Sequence, residues 1–207
     1  MPNQPPDPAS AKPPTAQRSD RELRADARRN RERVLRAAQQ LFATHGLDVS
    51  LDEIARSAGV GPGTVHRHFP AKEALFLAVA IDEIKQLVAE AEVLAAGKDP
   101  AALFEMLSRM MANGAENVAV KSALVAAEFD LRTAAPEVAS DLTRHVAYLL
   151  DRAHAADAVR ADLTIDEVMA LVAGAFAAIR HAGAETSRKR SAHIAQIILD
   201  GLRPQPR

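Results

Sequence analysis

Thr64, His66, Arg67 and His68 place a hydroxyl, a guanidinium and two imidazoles within five consecutive residues. Side chains of this kind hydrogen-bond phosphate oxygens and the edges of bases, so the chemistry they suit is non-covalent recognition of a nucleic acid duplex. Arg67 is the natural base or phosphate contact, and Thr64 offers a methyl group together with a hydroxyl. Pro62 and Gly63 stand immediately before them, and a residue without a side chain at 63 lets the backbone approach a groove floor. Ser50 and Lys72, at the helix starts on either side, complete the candidate DNA-binding set.

The string from Ser50 to Lys72 contains what would hold these groups in place. Ser50 followed three residues later by Glu53 is a reciprocal capping pair, so a helix starts there. Leu51, Ile54, Ala55 and Ala58 then recur at i, i+3, i+4 and i+7, an apolar stripe that leaves Asp52, Glu53 and Arg56 in water. Gly59 stops this helix and Val60 plugs the corner. Pro62 opens the next one, where its missing amide costs nothing. Val65 and Phe69, four apart, pin the second helix and turn Thr64, His66, Arg67 and His68 outward. A helix-turn-helix of this form lays its second helix in the major groove. By itself, helix-glycine-helix also describes two members of an ordinary bundle.

The longer string GVGPGTVHRHFPAKEALF resembles the end of the DNA-binding domain of the TetR/AcrR family of transcriptional regulators. Gly59, Val60, Thr64, Val65, His68, Phe69, Lys72, Glu73, Leu75 and Phe76 are the matching positions. Two departures stand out. His66 occupies the place of a tyrosine whose hydroxyl, in the family, bonds a DNA phosphate. Ala71 replaces a capping Ser or Thr, which should cost the next helix start about 1 kcal/mol.

Upstream, Val34, Leu35, Ala38, Leu41, Phe42 and His45 repeat at helical spacing until Gly46. The opening of this helix is rich in arginine, at 18, 21, 24, 28, 29, 31, 33 and 36, with Asp20, Glu22, Asp26 and Glu32 interleaved. The pattern fits a mixture: some of Arg24, Arg28 and Arg29 near DNA backbone, the rest solvated or paired at i,i+4.

With 26 basic and 27 acidic residues the chain is close to neutral, but the charges are unevenly placed. Residues 18–72 hold 11 Lys and Arg against 7 Asp and Glu, a net +4, and residues 73–207 hold 14 against 19, a net −5. Attraction is confined to the front, as a sequence reader needs and a bulk DNA-coating protein does not. Aromatics are 3% of residues and tryptophan is absent, which disfavours single-strand stacking platforms. No cysteine is present, so disulfides and thiolate metal sites are excluded. The most apolar run, Val168 to Ile179, is shorter than the roughly 20 residues of a membrane span. A cytoplasmic protein without membrane association and without a cofactor is expected.

Three segments follow: a Pro-rich disordered tail over 1–20, a helix-turn-helix domain over 21–76, and a larger helical domain over 77–203. The fold class is all-α. Lys72 starts a helix of roughly 25 residues that ends near Gly97, about 37 Å long and able to join the two domains. Asp99 and Pro100 start another, one more runs from about Ala119 to Leu131, and Pro136 opens a further one. Thr164 and Glu167 repeat the capping-box spacing before Val168, Leu171, Val172, Ala175, Phe176 and Ile179, and the last helix carries Ile194, Ile197, Ile198 and Leu202.

The last two helices are apolar over broad faces broken by Ala170, Ala173, Gly174, Ala177, Ala178 and Ala195, which leaves one face for a second copy. The resemblance likewise implies a homodimer through these helices. It also implies a cavity for a small effector whose binding shifts the DNA-reading helices. Phe104, Met106, Met110, Phe129, His145, Tyr148, Met169 and Phe176 are the candidate lining, although most such residues simply pack a core. The function implied is a ligand-responsive regulator, a repressor released from a palindromic operator by its effector. Two other readings stand beside it: a constitutive DNA-binding protein whose larger half only dimerises, or an enzyme using the helical half. The best catalytic pair for the latter, Asp141 with His145, lacks the third ligand or nucleophile that metal chemistry or turnover would need.

Overall fold

Helical periodicity and helix punctuation carry through the chain. The computed structural model describes residues 20–116, 118–126, 131–181 and 188–204, and no strand occurs among them. Helix α1 (Asp20–His45) ends at Gly46, whose φ of 73° lies in the left-handed region that favours glycine. A 3-10 turn (Gly46–Asp48) leads into α2 (Leu51–Ala58), α3 (Pro62–His68) and α4 (Lys72–Ala96). Residue 20 thus belongs to α1, and the remainder of the expected tail lies outside the described residues.

Val34, Leu35, Ala38 and Phe42 of α1 meet Ile54, Ala55, Val65, Phe69, Leu75, Phe76 and Val79 in one core. Phe42 and Phe76 pack edge to face with ring centres 5.0 Å apart. Burying an aliphatic or aromatic side chain of this size contributes about 1.5 to 3 kcal/mol, so a handful of them fixes the three-helix head on the start of α4.

The second core is built by α5 (Ala102–Glu116), α8 (Pro136–Ala155), α9 (Ile165–His181) and α10 (Arg188–Gly201), packed on Leu87 and Ala91 of α4. Between α5 and α8 lie α6 (Val118–Ala126) and the short α7 (Leu131–Ala134), where the sequence pattern reads as one helix. Val120 and Leu124 of α6 sit in the first core, so the head packs against the larger half through α6 as well as through α4. The far end of α4 is held too. Arg152 of α8 donates to the carbonyl oxygens of Leu94, Ala95 and Gly97 at 3.0, 3.2 and 2.5 Å, serving acceptors that a helix end leaves open.

The seam between the two cores carries charge. Glu83 of α4 is 2% exposed, and Lys121 of α6 brings its Nζ to 3.9 Å from the carboxylate. Lys121 also donates to Asn113 Oδ1 at 2.9 Å and lies 4.9 Å above the ring of Phe176, which in turn rests on Gly114. Burial lowers the Lys121 ammonium from its ordinary pKa, an effect that Glu83 opposes.

Candidate nucleic-acid interface

The turn between α2 and α3 is held at both ends. Ser50 caps α2: its Oγ accepts from the Glu53 amide at 3.2 Å, while its own amide and hydroxyl donate to Glu53 Oε2 at 2.7 and 2.8 Å. These bonds, the backbone one first, hold the Glu53 carboxyl below the usual glutamate range. At the other end Gly59 takes φ 64°, so that its amide reaches Arg56 O at 3.2 Å and the Val60 amide reaches Ala55 O at 3.0 Å.

Helix α3 begins on Gly61 with Pro62 in its first turn, and the Thr64 amide donates to Gly61 O at 2.9 Å. Val65 is 0% and Phe69 3% exposed, so this face is locked into the head. Pro62, Gly63, His66, Arg67 and His68 are exposed and Thr64 is half-buried. Its seven residues make a helix about 10 Å long, and the 10 to 12 Å diameter of an α-helix with its side chains is what a major groove roughly 12 Å wide admits. Lys72 is half-buried at the start of α4, and Ala71 before it provides no side-chain cap.

Six candidates therefore share α3, with Lys72 just beyond its end. Ser50 lies apart, its hydroxyl committed to the α2 cap. A residue outside the candidate set also reaches this surface. Asp52 Oδ1 of α2 lies 3.0 Å from His66 Nε2, a contact across fourteen residues that depends on how α2 and α3 cross. Arg31 of α1 is a second addition, its guanidinium 5.9 Å from the centre of the Phe69 ring.

The candidate effector-lining residues divide. Met106 and Met110 are buried in the second core, with Phe104, Met169 and Phe176 packed partly buried against it. Arg203 lies 4.6 Å above the Phe104 ring. His145 Nε2 is 3.6 Å from Glu92 Oε1 of α4, and Tyr148 is exposed on the outer side of α8 beneath Arg152. Phe129 lies outside the described residues. Asp141, the other half of the catalytic alternative, bonds Arg144 at 2.7 Å instead of joining His145.

On α9, Ala170, Leu171, Ala173, Gly174, Ala177 and Ala178 are exposed, and Ile197 of α10 is 58% exposed. An open groove of about 510 Å³ runs along this face over Leu171, Gly174, Ala175 and Ile198. Its polar end is closed by Arg160, which donates to both carboxylate oxygens of Asp162 at 2.7 and 2.6 Å and holds that carboxyl below its usual range. No described helix is long and apolar enough to cross a membrane.

Residues 34–79 match the family model described as bacterial regulatory proteins, tetR family, and residues 99–204 match that of the SbtR-like transcriptional regulator C-terminal domain. A TetR transcription regulatory protein from Mycobacterium vanbaalenii is 40% identical with a TM-score of 0.68, over 88% of this chain and 99% of that one. SCO0520 from Streptomyces coelicolor is 30% identical with a TM-score of 0.66, over 85% and 99%. The HTH-type transcriptional regulator UidR of Escherichia coli K12 is 32% identical over 68 residues, 32% of this chain, and the chain covers about a third, 35%, of that relative's length. Matched over its head and over about half its length in the helical domain, this chain belongs to the TetR family of transcriptional regulators.

Proposed function

We propose that this chain is a cytoplasmic, ligand-responsive repressor that binds a palindromic operator as a homodimer and leaves it when a small effector occupies the larger helical half. The observation that carries this reading is the seat of α3: Val65 and Phe69 buried, with Arg67, His66 and His68 turned to solvent on one short helix. Arg67 and Thr64 take base or phosphate contacts, His66, His68 and Lys72 take phosphates, and Pro62 and Gly63 permit close approach. Ser50 holds α2, against which α3 is set.

Dimerisation is supported by the exposed apolar face of α9 and α10. Two copies of α3 about 34 Å apart would enter successive major grooves on one side of the duplex. The methionine-rich core beside α4 supports effector binding, because unbranched thioethers adapt to ligands of varied shape. In the same fold, LfrR of Mycobacterium smegmatis, 22% identical, was solved in complex with proflavine. The effector must bind the DNA-incompetent state better, and a coupling of about 1 to 3 kcal/mol lowers operator affinity roughly 5- to 150-fold.

The test combines mass and ligand response. Light scattering at micromolar concentration should give a dimer, and a metabolite and drug panel should raise the melting temperature with at least one compound that also weakens DNA binding. A monomer removes the basis for a palindromic operator. A dimer that binds DNA and ignores the panel favours the constitutive reading.

A further inference from the structure

Fourteen residues of α1, 20–33, precede Val34, where both the buried head and the match to the family's N-terminal model begin. At 1.5 Å per residue this is an arm of about 21 Å, and its residues from 21 onward are exposed or half-buried. Four of its arginines share one face, with Asp20 and Glu32 at the two ends of that face. Arg21, Arg24, Arg28 and Arg31 recur at i, i+3, i+7 and i+10 and form one stripe, whereas Glu22, Asp26, Arg29 and Arg33 share the opposite side. On that opposite side Arg29 is bonded to Asp26 and Arg33 to Asn30. On the stripe, Arg28 meets Glu32 only at 3.9 Å, both side chains being exposed, a pair of little energetic weight.

The stripe leads to the reading helix. Arg31, at its inner end, lies against Phe69, the residue that follows His68 at the end of α3. We propose that the arm is a second DNA contact, in which Arg21, Arg24 and Arg28 grip phosphates flanking each half-site while α3 reads its bases. This rests on α3 being the groove-reading helix. The guanidinium fork matches phosphate geometry, and an arm of about 21 Å matches the axial rise of roughly six phosphates of one strand, at 3.4 Å each along the duplex axis. The same geometry sorts the arginines by role: the stripe binds DNA, and Arg29 and Arg33 maintain the arm.

Two full-length variants of equal net charge decide it, R24Q/R28Q on the stripe and R29Q/R33Q opposite. Affinity is measured against salt on an operator duplex recovered by selection, with its flanks and trimmed to the half-sites. Each lost phosphate contact removes about 0.9 from the log-log slope. R24Q/R28Q should therefore flatten the dimer's slope by about 3 to 4 on the flanked duplex and much less on the trimmed one, and R24K/R28K should restore most of it. R29Q/R33Q should shift it by less than about 1. Equal shifts from the two pairs, or no shift from R24Q/R28Q in a protein of wild-type helicity that binds the operator, would overturn the arm and leave α3 untouched. A wild-type dimer that binds no duplex would remove both.

Discussion

His66 of α3 and Asp52 of α2 are joined at 3.0 Å, Nε2 to Oδ1, with both side chains more than half exposed. The carboxylate occupies the imidazole nitrogen that a DNA phosphate would take in the proposed complex. Imidazole is the side chain whose charge changes between pH 5 and 8. Operator affinity should therefore rise from pH 8 to pH 6 by more than in an H66Y/H68Y variant. Parallel pH curves for the two proteins would exclude the histidines from the contact.

Asp52 makes a separate prediction. It places a negative charge beside the surface proposed to bind DNA, and an exposed pair of this kind is worth about 0.2 to 1 kcal/mol. D52A should tighten DNA binding by roughly 1.5- to 5-fold at low salt, with the gain vanishing at high salt. Weaker binding would mean that Asp52 positions His66 more than it repels DNA.

Ser50 holds the α2 cap, and S50A should cost the head about 1 kcal/mol, read as a lower melting temperature. The carboxyl of Glu53 is depressed by Ser50, so the stability it contributes is present above the ordinary glutamate pKa and is lost as pH falls through the lower folded value. The stability difference between wild type and S50A should therefore shrink on acidification from pH 6 toward pH 3. A constant gap would mean that the hydroxyl, and not the carboxylate it anchors, carries the cap.

Lys121 and Glu83 tie α6 to α4 at the seam of the two cores. Removing one member of a buried pair is far costlier than removing both, so K121M should destabilise by about 3 kcal/mol and E83Q/K121M should recover much of that loss. Denaturant melts of the four proteins in the cycle measure it. Additive losses would mean that packing around Phe176, and not the charge pair, holds the seam.

How much of this was legible in the sequence depended on range. The capping pairs Ser50 with Glu53 and Thr164 with Glu167, the stop at Gly59 and the starts at Pro62 and Pro136 are local, and they place the elements of the head and most of the larger half. The outward face of α3 follows from Val65 and Phe69 alone. The Asp52 to His66 contact spans fourteen residues and the Arg152 grip on α4 spans fifty-five or more, so both depend on how helices cross. Arg31 was visible as one arginine among eight, and only its place over Phe69 sets it apart. The candidate lining residues were the least legible, because the same apolar spacing serves core and pocket: Met106 proves buried, whereas Tyr148 stands on the exterior.

The central claim is that α3 of a paired protein reads duplex DNA, and selection of bound duplexes from a random pool by the purified full-length chain tests it most directly. The expected outcome is enrichment of a palindrome whose half-sites are one helical turn or a multiple apart, with R67A losing selectivity at one position of each half by about 1 to 3 kcal/mol. A pool that stays random in dilute buffer, or an enriched palindrome bound equally well by R67A and T64A, would contradict it.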